Sequence, residues 1–233
     1  MVAPVRTAFA PKIISDLLKW EVDPTYSREQ GTLKALNVVK IGTPLGRIEL
    51  GAASSAAKSG GNTANSGTFV LDATTPVLAG AESGVYTLRC ITAATNGGVF
   101  RLEDPRGRVL GDFAITGGAG GTVTVNDKIK GVLTDGTADF VVGDGFDITV
   151  AAGSGKLVVL APAALDGSAK CIGFSLQERD PGNADGVILY LARMAVIADS
   201  GIAWPDAFTS DQKLAAVADA LAAPCGIVTR VGI

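Results

Sequence analysis

The 233 residues contain no histidine. Ser-His and Cys-His catalytic dyads are therefore excluded, as is any zinc site that depends on imidazole. Charge is sparse at 18% of residues, with a formal net value of −3. Such a surface has no electrostatic pull on a polyphosphate, so no nucleic-acid partner is expected. Only three cysteines occur, Cys90, Cys171 and Cys225, too far apart for a four-thiolate metal site. Each sits among apolar or small neighbours and reads as a buried free thiol of a reducing compartment. A Cys171–Cys225 disulfide is the alternative, with no spacing signal behind it. No apolar run is long enough to cross a bilayer, so no membrane partner is expected. Met1 to Lys12 lacks the continuous apolar stretch of a signal peptide, and the following run is broken by Asp16 and Lys19. Folding in the cytoplasm of the producing cell is the expectation.

Motifs for chemistry are missing in the same way. No Gly-x-Ser-x-Gly elbow occurs. Gly155-Lys156 is followed by Leu157 and preceded by Val150 where a phosphate loop needs glycine. Gly143-Asp144-Gly145-Phe146-Asp147 matches part of one calcium-binding nonapeptide, but a single copy has no stacked neighbour and reads as a tight turn between strands. Glu103 and Asp104, and the group Glu178, Asp180 and Asp185, lie in stretches whose Asp, Asn, Gly and Pro content already explains them as loops. No enzyme, cofactor or metal is expected.

What the chain has in quantity is apolar and small residues: 47% hydrophobic and 30 glycines, with only 6% aromatics. That mixture suits many short strands joined by tight turns. Tyr86, Leu88 and Cys90 alternate with Thr87 and Arg89, and Phe100 with Leu102 repeats the pattern. Asp104-Pro105-Arg106-Gly107 has the residues of a type I turn. Val109 and Leu110, Val123 and Val125, and Phe146, Ile148 and Val150 mark further strands. The segment 62–153 reads as an inserted antiparallel module of five to seven strands, sandwich-like. Gly51 to Asn62 and Ala151 to Gly155 read as the flexible joints on either side. Residues 25–52 and 155–233 together form a discontinuous second domain, since neither flank alone has strands enough for a core. Strands are expected on both sides of a Gly42–Gly46 turn and over 156–160, 170–176 and 187–197. One helix is expected after Thr209, with Gln212 at the capping-box position and Leu214, Val217, Ala218 and Leu221 as its apolar stripe.

The densest feature lies near the start. Ile13, Ile14, Leu17, Leu18 and Trp20 place five large apolar side chains in eight residues. Pro11 and Pro24 bracket the run and limit a helix to about three turns. Two readings stay open: an amphipathic helix folded onto its own core, or a segment lying along a partner's sheet edge. Trp20 and Trp204 read as core or interface plugs.

This run leads into Glu21-Val-Asp-Pro24-Thr-Tyr26-Ser27-Arg28-Glu29, then Thr32-Leu33 and Gly42-Thr-Pro-Leu-Gly46-Arg-Ile48. The series resembles the start of the tailed-phage head decoration proteins, the family of the lambda capsid-stabilising protein. Asp166-Gly-Ser168-Ala-Lys-Cys-Ile172-Gly, Gly201-Ile-Ala-Trp204-Pro205 and Pro224-Cys-Gly226-Ile-Val-Thr-Arg230 resemble its later blocks. The resemblance spans about 125 residues and leaves out the central segment. It implies a mainly β fold with minor α: a small β-clip or β-tulip-like decoration domain, interrupted here by the antiparallel insertion. It also implies a homotrimer on the outer surface of an expanded phage head, holding neighbouring copies of the major capsid protein together. Residues 1–24 would be the capsid-docking arm, with Ile13, Ile14, Leu17, Leu18 and Trp20 as its apolar contacts. Tyr26, Ser27 and Arg28 would anchor the arm where it leaves the domain. Virion location would follow assembly from the host cytoplasm. The competing reading is an adhesive or carbohydrate-binding module in the insertion. A hydrolase using carboxylates alone is a third.

Overall fold

The computed structural model describes residues 12–63, 66–222 and 224–232. The chain begins with a single helical turn, α1 (Ile14–Leu17), followed by β1 (Leu18–Glu21), a second turn α2 (Pro24–Ser27), β2 (Arg28–Leu33) and β3 (Pro44–Arg47). Eight strands follow: β4 (Leu50–Ala57), β5 (Thr68–Leu71), β6 (Gly84–Ala94), β7 (Gly97–Glu103), β8 (Val109–Ile115), β9 (Thr122–Asp127), β10 (Ile129–Thr134) and β11 (Gly145–Ala152). The chain then supplies β12 (Leu157–Val159), β13 (Gly173–Ser175), β14 (Gly186–Leu191), β15 (Ala195–Ala198), a 3-10 turn at Asp199–Gly201, the helix α3 (Ser210–Leu221) and β16 (Ile227–Arg230). The protein is mainly β, with several sheets and little helix.

Two compact units share these elements. The first comprises residues 1–47, 155–164 and 168–233, and the second 48–154 with 165–167. In the first unit β12, β2, β14, β13 and β3 close into a five-stranded barrel. Leu33, Val39, Leu45, Leu157, Ile188 and Tyr190 fill it. Gly46 on β3 is required there, because a Cβ would collide with the Ser168 carbonyl oxygen. Beside the barrel, β1, β15 and β16 form a three-stranded sheet in that order, β15 antiparallel to β1 and parallel to β16. Leu17, Phe174, Ile197, Ile227 and the alanines Ala216 and Ala220 of α3 belong to one core cluster.

The second unit buries one apolar cluster between a five-stranded sheet (β4-β11-β6-β7-β8) and a three-stranded sheet (β5-β10-β9). The expected alternation holds: Tyr86, Leu88, Cys90, Phe100 and Leu102 are buried while their neighbours are not. Gly107 N–H donates to the Asp104 carbonyl at 2.9 Å, closing the expected turn.

Three local expectations are corrected. Residues 50–57 are no flexible joint but the strand β4, paired with β11 from Leu50↔Ala152 to Ala57↔Phe146. Its small inward side chains lie opposite Phe146, Ile148 and Val150, which occupy the space themselves. The turn placed at Gly42–Gly46 falls earlier, at Lys40–Thr43, and Pro44–Arg47 is itself strand. The helix α3 has its capping box: Gln212 N–H donates to Thr209 Oγ1 at 3.2 Å and Thr209 N–H to Gln212 Oε1 at 3.0 Å. Its buried positions, however, are Ala216 and Ala220; Leu214 and Leu221 are exposed. Small residues let the helix backbone approach the core closely, and the larger apolar side chains turn outward.

Candidate functional site

The segment singled out by its apolar density divides between anchoring and exposure. Leu17 is fully buried, and Ile14 and Leu18 pack partly against the same cluster. Ile13 and Trp20 are more than half exposed, at 58% and 57%. The short α1 turn is stabilised by Asp16, whose carboxylate accepts from Ile13 N–H at 2.9 Å. It rests on the 3-10 turn, where Gly201 permits the approach: a Cβ there would stand 2.5 Å from the Asp16 carbonyl oxygen and the Leu17 Cα. Lys12 closes the contact, its Nζ donating to the carbonyls of Ser200, Gly201 and Ile202 at 3.3, 3.0 and 3.3 Å. After this turn β1 pairs antiparallel with β15, with a bulge between Leu18 and Trp20. Of the expected arm, residues 1–11 lie outside the described residues.

Tyr26-Ser27-Arg28-Glu29 ties this segment to the loop after β14. Ser27 is fully buried; its carbonyl accepts from Ala192 N–H at 2.8 Å, and its hydroxyl donates to the Met194 carbonyl at 3.3 Å. Met194 has φ +48°, a left-handed residue at the tight connection between β14 and β15. Arg28 grips Glu21 at the end of β1 through two bonds, Nε to Oε2 at 2.9 Å and Nη2 to Oε1 at 2.5 Å. The Glu21 bond raises the Arg28 pKa above its ordinary value. Glu29 pairs with Arg193 and accepts from the Tyr190 hydroxyl at 2.7 Å. Arg193 in turn donates to the Tyr26 carbonyl at 2.8 Å and sits 5.3 Å from the Tyr26 ring centroid. Tyr26 is nevertheless half exposed. The whole arrangement fixes β1 as an edge strand and leaves Ile13, Trp20, Val22 and Tyr26 facing solvent.

Sequence reasoning missed Glu21, Val22 and Arg193. A signal for Glu21 exists, since it and Arg28 flank the one-turn helix that Asp23 caps through Thr25 N–H at 2.7 Å and Pro24 opens. Arg193 lies 164 residues from Glu29, and no local pattern joins them.

Of the carboxylates weighed for chemistry, Asp104, Asp180 and Asp185 have structural partners. Asp104 accepts from Arg106 and Arg108 N–H and from Arg108 Nε at 2.6 Å. Burial alone would raise its pKa, but these bonds hold it below the ordinary value. Asp185 is held low by Lys156 at 2.6 Å and by Ala35 N–H. Asp180 accepts from Gly182 N–H, a turn bond. Asp144, fully buried, accepts from Thr63 and Val141 N–H and lies 3.6 Å from Lys58 Nζ, so it organises its own loop. All three cysteines are free and buried. The rings that a sugar would need in the second unit are inside it: Phe69, Tyr86, Phe100, Phe140 and Phe146 are buried and Phe113 packs against them.

A family model described as bacteriophage lambda head decoration protein D matches residues 8–227. Comparison with curated proteins and with solved structures returned no match.

Proposed function

The chain belongs to the bacteriophage lambda head decoration protein D family, and on that basis we propose that it is an auxiliary protein that cements the outer surface of an expanded tailed-phage head. It binds there as a homotrimer, bridges neighbouring copies of the major capsid protein and stabilises the shell after folding in the host cytoplasm. The observation that supports this reading is the exposed apolar edge at β1. Trp20 on β1, with Ile13, Val22 and Tyr26 to either side of the strand, is exposed, and the strand is clamped from behind by the Tyr26–Glu29 network. Ile14, Leu17, Leu18, Ser27 and Arg28 position that edge, while Ile13, Trp20 and Tyr26 touch the capsid. Each apolar side chain buried on the shell contributes about 1.5–3 kcal/mol before ordering costs. Three copies on one trimer then act together, so modest single contacts give firm attachment.

The test is co-sedimentation with expanded, undecorated heads. Removing residues 1–24 would strip Leu17 from the core, so substitutions of exposed side chains are the cleaner probe. The full chain should bind saturably, and Ile13→Asp and Tyr26→Asp should each weaken binding roughly tenfold or more. Undiminished binding by both variants would move the contact elsewhere on the unit. Absence of binding by the full chain would refute the decoration role.

A further inference from the structure

Three carboxylates of the second unit are buried: Asp104, Asp135 and Asp144. Two of them are partnered. Asp104 holds Arg108 and two backbone N–H groups, and Asp144 faces Lys58 and accepts from Thr63 and Val141 N–H. Asp135 differs: it is 4% exposed, and neither of its carboxylate oxygens has a hydrogen-bond partner among the described residues. A carboxylate so placed is costly, and buried charges are otherwise paired or coordinate a metal. Asp135 follows β10, the central strand of its sheet, and continues the buried set Ile129, Gly131 and Leu133. The starts of β9 and β5 flank it, since Thr134 pairs with both Thr122 and Thr68. On one side Asp135 N–H donates to the Gly121 carbonyl at 2.9 Å, and Gly121 N–H to the Gly118 carbonyl at 2.9 Å. On the other, the Ser66 hydroxyl accepts from Thr137 N–H at 3.0 Å and lies 3.1 Å from the Thr137 hydroxyl. Neutral oxygens from three chain segments therefore collect at this strand end. Segments 63–68, 116–122 and 134–139 contain no lysine or arginine, so none of them can supply a side-chain cation.

We propose that Asp135 anchors a calcium site at this end of the second unit. Asp135 supplies the charge. The Gly118 and Gly121 carbonyls and the Ser66 and Thr137 hydroxyls are the neutral donors that strand register and turn bonds bring alongside. The donor set is all oxygen: the chain has no histidine, and Cys90, the one cysteine of this unit, lies on the other sheet. Softer metals are disfavoured by such a set. Calcium accepts about six to eight oxygens in irregular geometry, backbone carbonyls included, whereas magnesium demands a near-ideal octahedron and keeps its water. Among the described residues no three Cys, Asp or Glu side chains gather to hold a metal. One carboxylate therefore carries the charge, which puts Kd on the order of 0.1–1 mM, the weak range of extracellular calcium modules. The 117–120 loop is exposed, and a Cβ on Gly118 or Gly120 would meet nothing within 4 Å, so solvent reaches it freely. A bound ion would tie the starts of β5 and β9 to the end of β10. The site concerns the second unit alone and is independent of the decoration role of the first.

Isothermal titration calorimetry tests it, with calcium chloride added to the chelator-treated full chain at constant ionic strength. One ion should bind per chain. Asp135→Asn and Asp135→Ser should each weaken binding at least tenfold while leaving the far-ultraviolet circular dichroism unchanged. Magnesium and sodium, added at the same ionic strength, should bind more weakly than calcium. Hydrogen exchange of the unaltered chain gives a second reading that needs no variant: calcium should slow the amides of 117–121 and 135–137. No calcium uptake at concentrations about tenfold above the expected Kd would overturn the site. Full binding in both Asp135 variants, or exchange slowed only elsewhere, would place any calcium away from Asp135 and overturn it as well. An equal response to all three cations would reduce the effect to ionic strength and have the same consequence.

Discussion

At the scale of single residues, the chemistry of this protein is concealed. Cys171 is fully buried, and desolvation pushes its thiol pKa up to about 12. The sign of the consequence follows from linkage. The neutral thiol is the form compatible with the fold, so this stabilisation is complete below the unfolded thiol value of about 9 and is lost as pH rises from there towards about 12. Urea denaturation midpoints should therefore fall across that alkaline window, and replacing Cys171 by alanine should flatten the part of the slope due to this group. The same burial should keep all three cysteines unreactive to a thiol reagent at neutral pH. Buried free thiols were legible from apolar flanks and wide spacing. The partners of Glu29 were not, because Arg193 and Tyr190 reach it only once β14 lies against β2.

Elements reveal where a sequence pattern suffices and where tertiary packing overrides it. The strands carrying Tyr86, Leu88 and Cys90 could be read directly, because one face is buried and period 2 survives in the residues. The strand β4 could not, because Gly51-Ala-Ala-Ser-Ser-Ala-Ala57 has the small-residue composition of a linker and becomes a strand only through pairing with β11. For α3 the capping box was sufficient to locate the helix, but its buried face was misread, since alanines supply the close contact. The α1 turn illustrates the same dependence. One turn of helix is too short to stand alone, so its position depends on packing against the 3-10 turn at Asp199–Gly201. Gly201→Ala should destabilise the first unit by roughly 1–3 kcal/mol, because the added methyl meets backbone atoms that cannot rotate away. Denaturant unfolding would measure it. An unchanged midpoint would mean that α1 lifts from the turn at no cost.

At the scale of the whole molecule, the chain leaves the first unit after Arg47 and re-enters it near Leu157, two residues that face each other in the β3–β12 pair. The eight strands of the second unit thus lie in sequence between two strands of the first that pair with each other. Among the described residues of the second unit Phe69, Tyr86, Phe100, Phe140 and Phe146 are buried and Phe113 is partly buried against them. The exposed apolar side chains around β1 belong to the first unit, the unit that carries the Tyr26–Glu29 network. The central claim is therefore that this unit decorates a phage head from outside. Image reconstruction of expanded heads, with and without saturating protein, tests it most directly. The account predicts added density outside the shell, in groups of three copies, with the β1 edge against the capsid surface. Heads that gain no density, or gain it only on the inner face, would contradict it.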